Sequence, residues 1–265
     1  MKYIETTLPS GAKLTGWLRE PAEEMPHYQV RPAVLVLPGG GYAYCSAREA
    51  DPVATQFFAA GYQVFTLWYS VAPKAGNWQP MIDAAGAILH LRKNAVEFSL
   101  NPDKVVVCGF SAGGHLAAST AILWDAAPLR AALGIAGEEA RPNAVVLGYP
   151  VVTSGPFAHV GSIDNIAGDD KALRDMFSLE NQVKPGLPPF FIWHTVTDAS
   201  VPVQNSLLLV NALERCDVPY ELHLFATGNH GMSVCTDEVN TPSAHNATWV
   251  PLCMQWLELT LDYHI

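Results

Sequence analysis

The chain has 265 residues, 49% of them apolar and 15% charged, with 15 Lys plus Arg against 25 Asp plus Glu for a net charge of −10. Ordinary soluble domains carry about 25% charged residues, so this composition excludes intrinsic disorder and predicts a large buried core. The negative balance repels phosphate backbones and anionic headgroups, so neither nucleic acid nor a membrane is expected as a partner.

At the N-terminus, Tyr3 to Thr7 and Lys13 to Arg19 flank the turn-forming Pro9-Ser10-Gly11-Ala12, which predicts an antiparallel hairpin at a sheet edge. Glu5 lies where a signal peptide needs its apolar centre, so no export signal is expected. From Ala33 onward, short runs rich in Val, Leu and Phe alternate with amphipathic stretches, the pattern of a mostly parallel sheet with helices on both faces. The predicted strands are Ala33 to Leu37, Gln63 to Trp68, Lys104 to Cys108, Ala144 to Leu147, Pro189 to Trp193 and Glu221 to Phe225. Helices are predicted between them at Asp51 to Ala60, Met81 to Phe98, Ala112 to Leu123, Val203 to Cys216 and Ala247 to Leu261. The chain is therefore read as α/β and, with no repeat or linker-like shift in composition, as one domain over 1–265.

One stretch stays irregular. Thr153 to Pro188 is rich in Gly, Pro and Asp, is expected to hold short helices at most, and has the length of a connection that covers a site. The five cysteines are odd in number and widely spaced with no C-x-x-C pair, which suits a reducing compartment. No apolar run reaches about 18 residues, the length of a membrane span, so a soluble cytoplasmic protein is expected.

The sharpest chemical signal is Gly109-Phe110-Ser111-Ala112-Gly113-Gly114, a G-x-S-x-G motif between a predicted strand and a predicted helix. In that setting Ser111 sits on a tight turn with its hydroxyl exposed at a helix N-terminus, as a nucleophile requires. A serine hydroxyl needs a base to take its proton and an acid to orient the base. Asp198 follows the strand ending at Trp193, and His230 follows the strand ending at Phe225, in Gly228-Asn229-His230-Gly231. The order Ser, Asp, His, each beyond its own strand, is the one this architecture uses. His245 is the reserve base, and Asp164, Asp169, Asp170 and Glu221 are weaker acids because none directly follows a core strand. His115 and His194 fall out of order and are read as supporting residues.

Donors for a tetrahedral oxyanion are sought in Pro38-Gly39-Gly40-Gly41-Tyr42, directly after the strand ending at Leu37. The loop resembles the H-G-G-G type apart from its first residue, and it lacks both the G-K-[ST] ending of a phosphate loop and the G-x-G-x-x-G spacing. The amides of Gly40, Gly41 and Ala112 are the expected hole. This chemistry requires no metal or organic cofactor. Trp68, Trp78 and Trp193 lie near strand ends but are read as core residues.

Taken together, these segments resemble the α/β-hydrolase superfamily, in particular its bacterial esterase and acetylxylan-esterase-like (BD-FAE-like) branch. The resemblance is carried by Leu37 to Tyr42, Gly109 to Ala117, Trp193-His194-Thr195 with Asp198 and Val201-Pro202, and His223 with Gly228 to Gly231. It implies a serine esterase with Ser111, Asp198 and His230 as its triad, acting on small esters such as acetylated oligosaccharides. Because the glycine loop follows a mere hairpin, little cap is expected and the site should be open to a bulky alcohol half. An amide-cleaving serine hydrolase (a peptidase or formamidase) and a non-catalytic ligand-binding member of the fold are the alternatives, and the oligomeric state, self-association included, stays open.

Overall fold

The computed structural model describes residues 1–264. Eight strands form one sheet in the order β1-β2-β4-β3-β5-β6-β7-β8. They span β1 Lys2–Thr7, β2 Lys13–Leu18, β3 Arg31–Leu37, β4 Gln63–Trp68, β5 Leu100–Phe110, β6 Ala144–Gly148, β7 Phe190–Thr195 and β8 Tyr220–Phe225. The pairs β1/β2 and β2/β4 are antiparallel, as the hairpin reading requires, and every other pair is parallel. Parallel strands are covered on both faces, which is why β3 and β6 are buried at every residue and read as apolar runs from Ala33 and from Ala144.

Alternate residues of each strand supply two cores. Leu35, Leu37, Val107 and Leu147 face α2 (Gln79–Lys93), α3 (Ala112–Ile122) and α7 (Gln204–Arg215), through Ile88, Leu116 and Leu213. Val34, Val36, Val106 and Trp193 face the other way, onto Val53 and Phe57 of α1 (Asp51–Ala59) and Trp249 and Leu257 of α8 (Trp249–Leu261). Trp193 stacks on Trp249 with 5.2 Å between ring centroids, and Trp78 packs against Phe177, so both are core residues. Trp68 ends β4 only partly buried.

The helical elements differ from expectation at two places. α2 stops at Lys93 instead of running to Phe98, because Asn94 leaves helical geometry and its Nδ2 bonds the His90 carbonyl at 2.8 Å. The chain then turns at once into β5, which begins at Leu100 beside Arg31. The second is α4 (Ala127–Leu133), absent from the sequence reading, although Pro128 in its first turn and left-handed Gly134 at its end are the ordinary boundary signals. The connection 153–188 does hold only short helices, α5 (Val160–Ala167) and α6 (Lys171–Met176), and a single 3-10 turn. Among the described residues, no helix is long and apolar enough to cross a membrane.

Candidate active site

Because β3, β5, β7 and β8 run parallel, the segments that leave their C-terminal ends gather at one edge of the sheet. The loop from β5 into α3 is a single residue, Ser111, held at φ 54° and ψ −121°. A non-glycine residue at positive φ costs roughly 1–3 kcal/mol and persists only where its surroundings over-determine it. Here the Ser111 amide donates to the Gly148 carbonyl at 3.0 Å, and the Ser111 carbonyl accepts from His115 N and Val151 N, both at 3.0 Å. A Cβ on Gly109 would stand 2.1 Å from the Gly113 carbonyl oxygen, so the tight elbow demands bare backbone at that position.

The loops after β7 and β8 bring two side chains to this serine. Ser111 Oγ lies 2.7 Å from His230 Nε2, and His230 Nδ1 lies 2.7 Å from Asp198 Oδ2. With Nδ1–H directed at the carboxylate, Nε2 is the free acceptor for the serine proton. Asp198 Oδ1 accepts from the amides of Ser200 and Val201, each at 2.9 Å. His194 adds a further partner. Its Nε2 donates to the Val201 carbonyl at 3.0 Å, which fixes the tautomer, and stands 3.4 Å from Asp198 Oδ2, while its Nδ1 accepts from Ser206 Oγ. Burial alone would raise the Asp198 pKa, but the hydrogen bonds from His194 and His230, with the imidazole charge and the Val201 amide, hold it far below the usual carboxylate range.

The two loops are pinned to each other. The hydroxyls of Thr195 and Thr197 both donate to the Gly228 carbonyl at 3.0 Å, and Gly228 N donates back to Thr197 Oγ1 at 2.9 Å. On its other side the His230 ring meets the edge of Tyr149, 5.0 Å between centroids.

The glycine loop after β3 lies along the same cavity, whose volume is about 350 Å³ and which Gly40, Gly41, Ser111 and His230 all line. Gly40 has φ 127°, and a Cβ there would stand 2.1 Å from the Tyr44 carbonyl oxygen. Ala112 opens α3 beside Ser111 and is wholly buried. Although Pro38 replaces the usual histidine, the loop is braced from elsewhere. Tyr69 OH donates to the Pro38 carbonyl at 2.5 Å, Gly39 N to Glu49 Oε2 at 2.8 Å, and Asn165 Nδ2 to the Gly41 carbonyl at 2.8 Å. Next along, Tyr42 OH donates to His115 Nδ1, whose Nε2 donates to the Phe177 carbonyl. Burial pushes the His115 pKa down to about 4, so this ring is a neutral strut.

Tyr44, Ser46, Arg48, Glu49, His159, Asn165 and Ser200 add polar side chains to the cavity wall. Two of these side chains, those of His159 and Asn165, come from the 153–188 connection, at and within α5, which also brings Gly161 to the wall. The competing residues lie elsewhere: His245 packs edge-on to Phe225, Asp164 pairs with Arg174, Asp170 caps α6 and Glu221 bonds His223. Asp169 is exposed. Sequence reasoning missed Glu49 and Asn165 altogether, since neither belongs to a motif or a periodic pattern.

A mostly parallel sheet with a serine elbow after its fifth strand, and an acid and a histidine after later strands, defines an α/β hydrolase. Residues 22–213 match the BD-FAE family model, and the chain belongs to that family. It is 37% identical over 213 residues to the endo-1,4-beta-xylanase B of Butyrivibrio fibrisolvens, covering 78% of this chain and 33% of that protein. It is also 28% identical over 212 residues to the acetylxylan esterase of Xylanibacter ruminicola, covering 77% of this chain and 42% of that protein. The chain thus spans less than half the length of these two relatives. Among solved structures, the acetyl ester-xyloside bifunctional hydrolase of Caldicellulosiruptor lactoaceticus superposes with a TM-score of 0.82 at 33% identity, covering 95% of this chain and 89% of that one.

Proposed function

We propose that this chain is a serine carboxylic-ester hydrolase that removes acetyl groups from carbohydrates through an acyl-enzyme. The observation that carries the reading is the unbroken run of 2.7 Å hydrogen bonds from Ser111 Oγ through His230 to Asp198. In this reaction Ser111 Oγ attacks the ester carbonyl as its proton passes to His230 Nε2, and the negative oxygen is received by the amides of Gly40, Gly41 and Ala112. Collapse breaks the bond to the alcohol, which leaves with the proton from His230. Water then attacks the acyl-serine, gives a proton to His230, and acetate departs as that proton returns to Ser111. Asp198 keeps the imidazole in the required tautomer and stabilises its cationic form.

The sugar-acetate preference rests on two further observations. The relatives named above carry xylan and acetyl ester activities in their names. The cavity wall is rich in side-chain donors, from Tyr44, Arg48, His159 and Asn165, which suit a hydroxylated alcohol half. The test is acetate release from acetylated xylo-oligosaccharides and turnover of p-nitrophenyl acetate, each with wild type and Ser111→Ala. Turnover abolished by the substitution and faster for acetyl than for octanoyl esters is expected. Turnover that survives it would overturn the mechanism, and faster cleavage of a formyl amide or an aminopeptide would make the enzyme an amidase.

A further inference from the structure

Glu49 is 3% exposed and borders the catalytic cavity, yet no step of the reaction above uses it. Its Oε2 accepts from Gly39 N at 2.8 Å and its Oε1 from Tyr149 OH at 2.6 Å. The Tyr149 oxygen itself accepts from Ser233 N at 2.8 Å, so the phenolic proton must point at Glu49. Both oxygens thus receive protons from donors that cannot take one in return, which is the pattern of an ionised carboxylate. Gly39 belongs to the glycine loop and Ser233 follows His230 three residues on, so one buried carboxylate ties together the two segments that flank Ser111. The tyrosine at the centre of this link also supplies the ring against which His230 rests.

Resting on the reading of Ser111 and His230 as nucleophile and base, we propose that Glu49 is a positioning residue with two effects: it locks the glycine loop to the histidine loop through Tyr149, and it holds a second negative charge beside the imidazolium that forms during turnover. Burial is the largest influence on Glu49 and leaves its pKa above the ordinary carboxylate value, while the Tyr149 and Gly39 hydrogen bonds and the charges of His230 and Arg48 pull it back down. The ionisable groups around the His230 ring are then Asp198 on the β7 loop, Tyr149 just after β6, Glu49 and Arg48 before α1, and His159 at the start of α5.

The experiment compares wild type, Glu49→Gln and Tyr149→Phe as full chains, measuring kcat and KM for p-nitrophenyl acetate across pH, with circular dichroism to confirm folding. Glu49→Gln removes the charge, and with it a favourable neighbour of the imidazolium. Its kcat should fall about tenfold to a hundredfold with KM nearly constant, and the acidic limb of kcat/KM should move to lower pH by about half a unit to one unit. Tyr149→Phe breaks the link but leaves the carboxyl in place with its Gly39 hydrogen bond, so kcat should fall while the acidic limb moves less than in Glu49→Gln. A merely structural glutamate would not move that limb. If Glu49→Gln keeps the wild-type kcat and acidic limb, or loses activity only in proportion to its unfolded fraction, this proposal is overturned while the esterase reading stands. If wild type shows no Ser111-dependent turnover, both fall.

Discussion

His194 and Asp198 are both wholly buried, four residues apart in the chain, and meet through Nε2 and Oδ2 at 3.4 Å. The carboxylate that bonds His230 is therefore itself met by a second histidine, whose proton is fixed by the Val201 carbonyl. The carboxylate is stabilised in its charged form only when the fold assembles these donors.

A dependence of stability on pH follows, with its sign set by the depressed folded-state pKa of Asp198. Its contribution is fully present above the unfolded value, about 3.9, and is lost as pH falls from there toward the folded value. Urea midpoints for wild type should decline on acidification below about pH 4 more steeply than those of Asp198→Asn, which has no carboxyl to protonate. Equal slopes in the two proteins would contradict this account. At neutral pH the same substitution should lower kcat by about a thousandfold to ten-thousandfold, since the amide cannot hold the imidazole in the tautomer the serine needs.

Ser111 carries backbone strain that glycine would not feel. Ser111→Gly should raise thermal stability by about 1 kcal/mol relative to Ser111→Ala while both lack esterase activity, as read by calorimetry beside an acetate-release assay. A less stable glycine variant would show that the elbow is not strained.

Gly40→Ala would press a methyl group to 2.1 Å from the Tyr44 carbonyl, in a backbone conformation unfavourable for alanine. The loop must shift, and with it the expected oxyanion donors. Turnover should drop about a hundredfold or more, and reaction of Ser111 with a fluorophosphonate should slow in parallel, because that adduct requires the same hole. Wild-type rates in this variant would remove Gly40 from the site.

His159 has its Nδ1 engaged by the Ser162 hydroxyl at 2.8 Å and amide at 3.3 Å, so its remaining N–H is on Nε2. Burial and the nearby His230 charge lower its pKa, which keeps the ring neutral near pH 7. As part of the cavity wall it is expected to donate to the alcohol half of a sugar ester. His159→Phe should raise KM for acetylated xylo-oligosaccharides about threefold to tenfold, the worth of one hydrogen bond, with a smaller change for p-nitrophenyl acetate. Equal effects on both substrates would argue against a contact with sugar.

Local signals account for what could be read without coordinates. Gly109 and Gly113 surround Ser111 because the elbow forces backbone within reach of backbone, a demand that operates over a few residues and leaves its mark in the motif. Asp198 and His230 could be located because parallel strands all end at one edge, so chain order and strand ends suffice to bring them near Ser111. Pro128 and Gly134 bounded α4 in plain sight, but its seven residues are too few for a helical period to stand out.

The amino-acid sequence by itself determined the alternating α/β architecture, the serine elbow, and the succession of acid and histidine behind it. Only the tertiary structure decided that Glu49 would bond Tyr149, 100 residues away, that His194 would back the acid, and that Asn165 would reach across to Gly41. Hydrophobic periodicity and turn chemistry act between near neighbours and are written along the chain. Buried polar groups must instead find partners wherever the closed core brings them, and a lone glutamate, histidine or asparagine carries no local trace of that pairing.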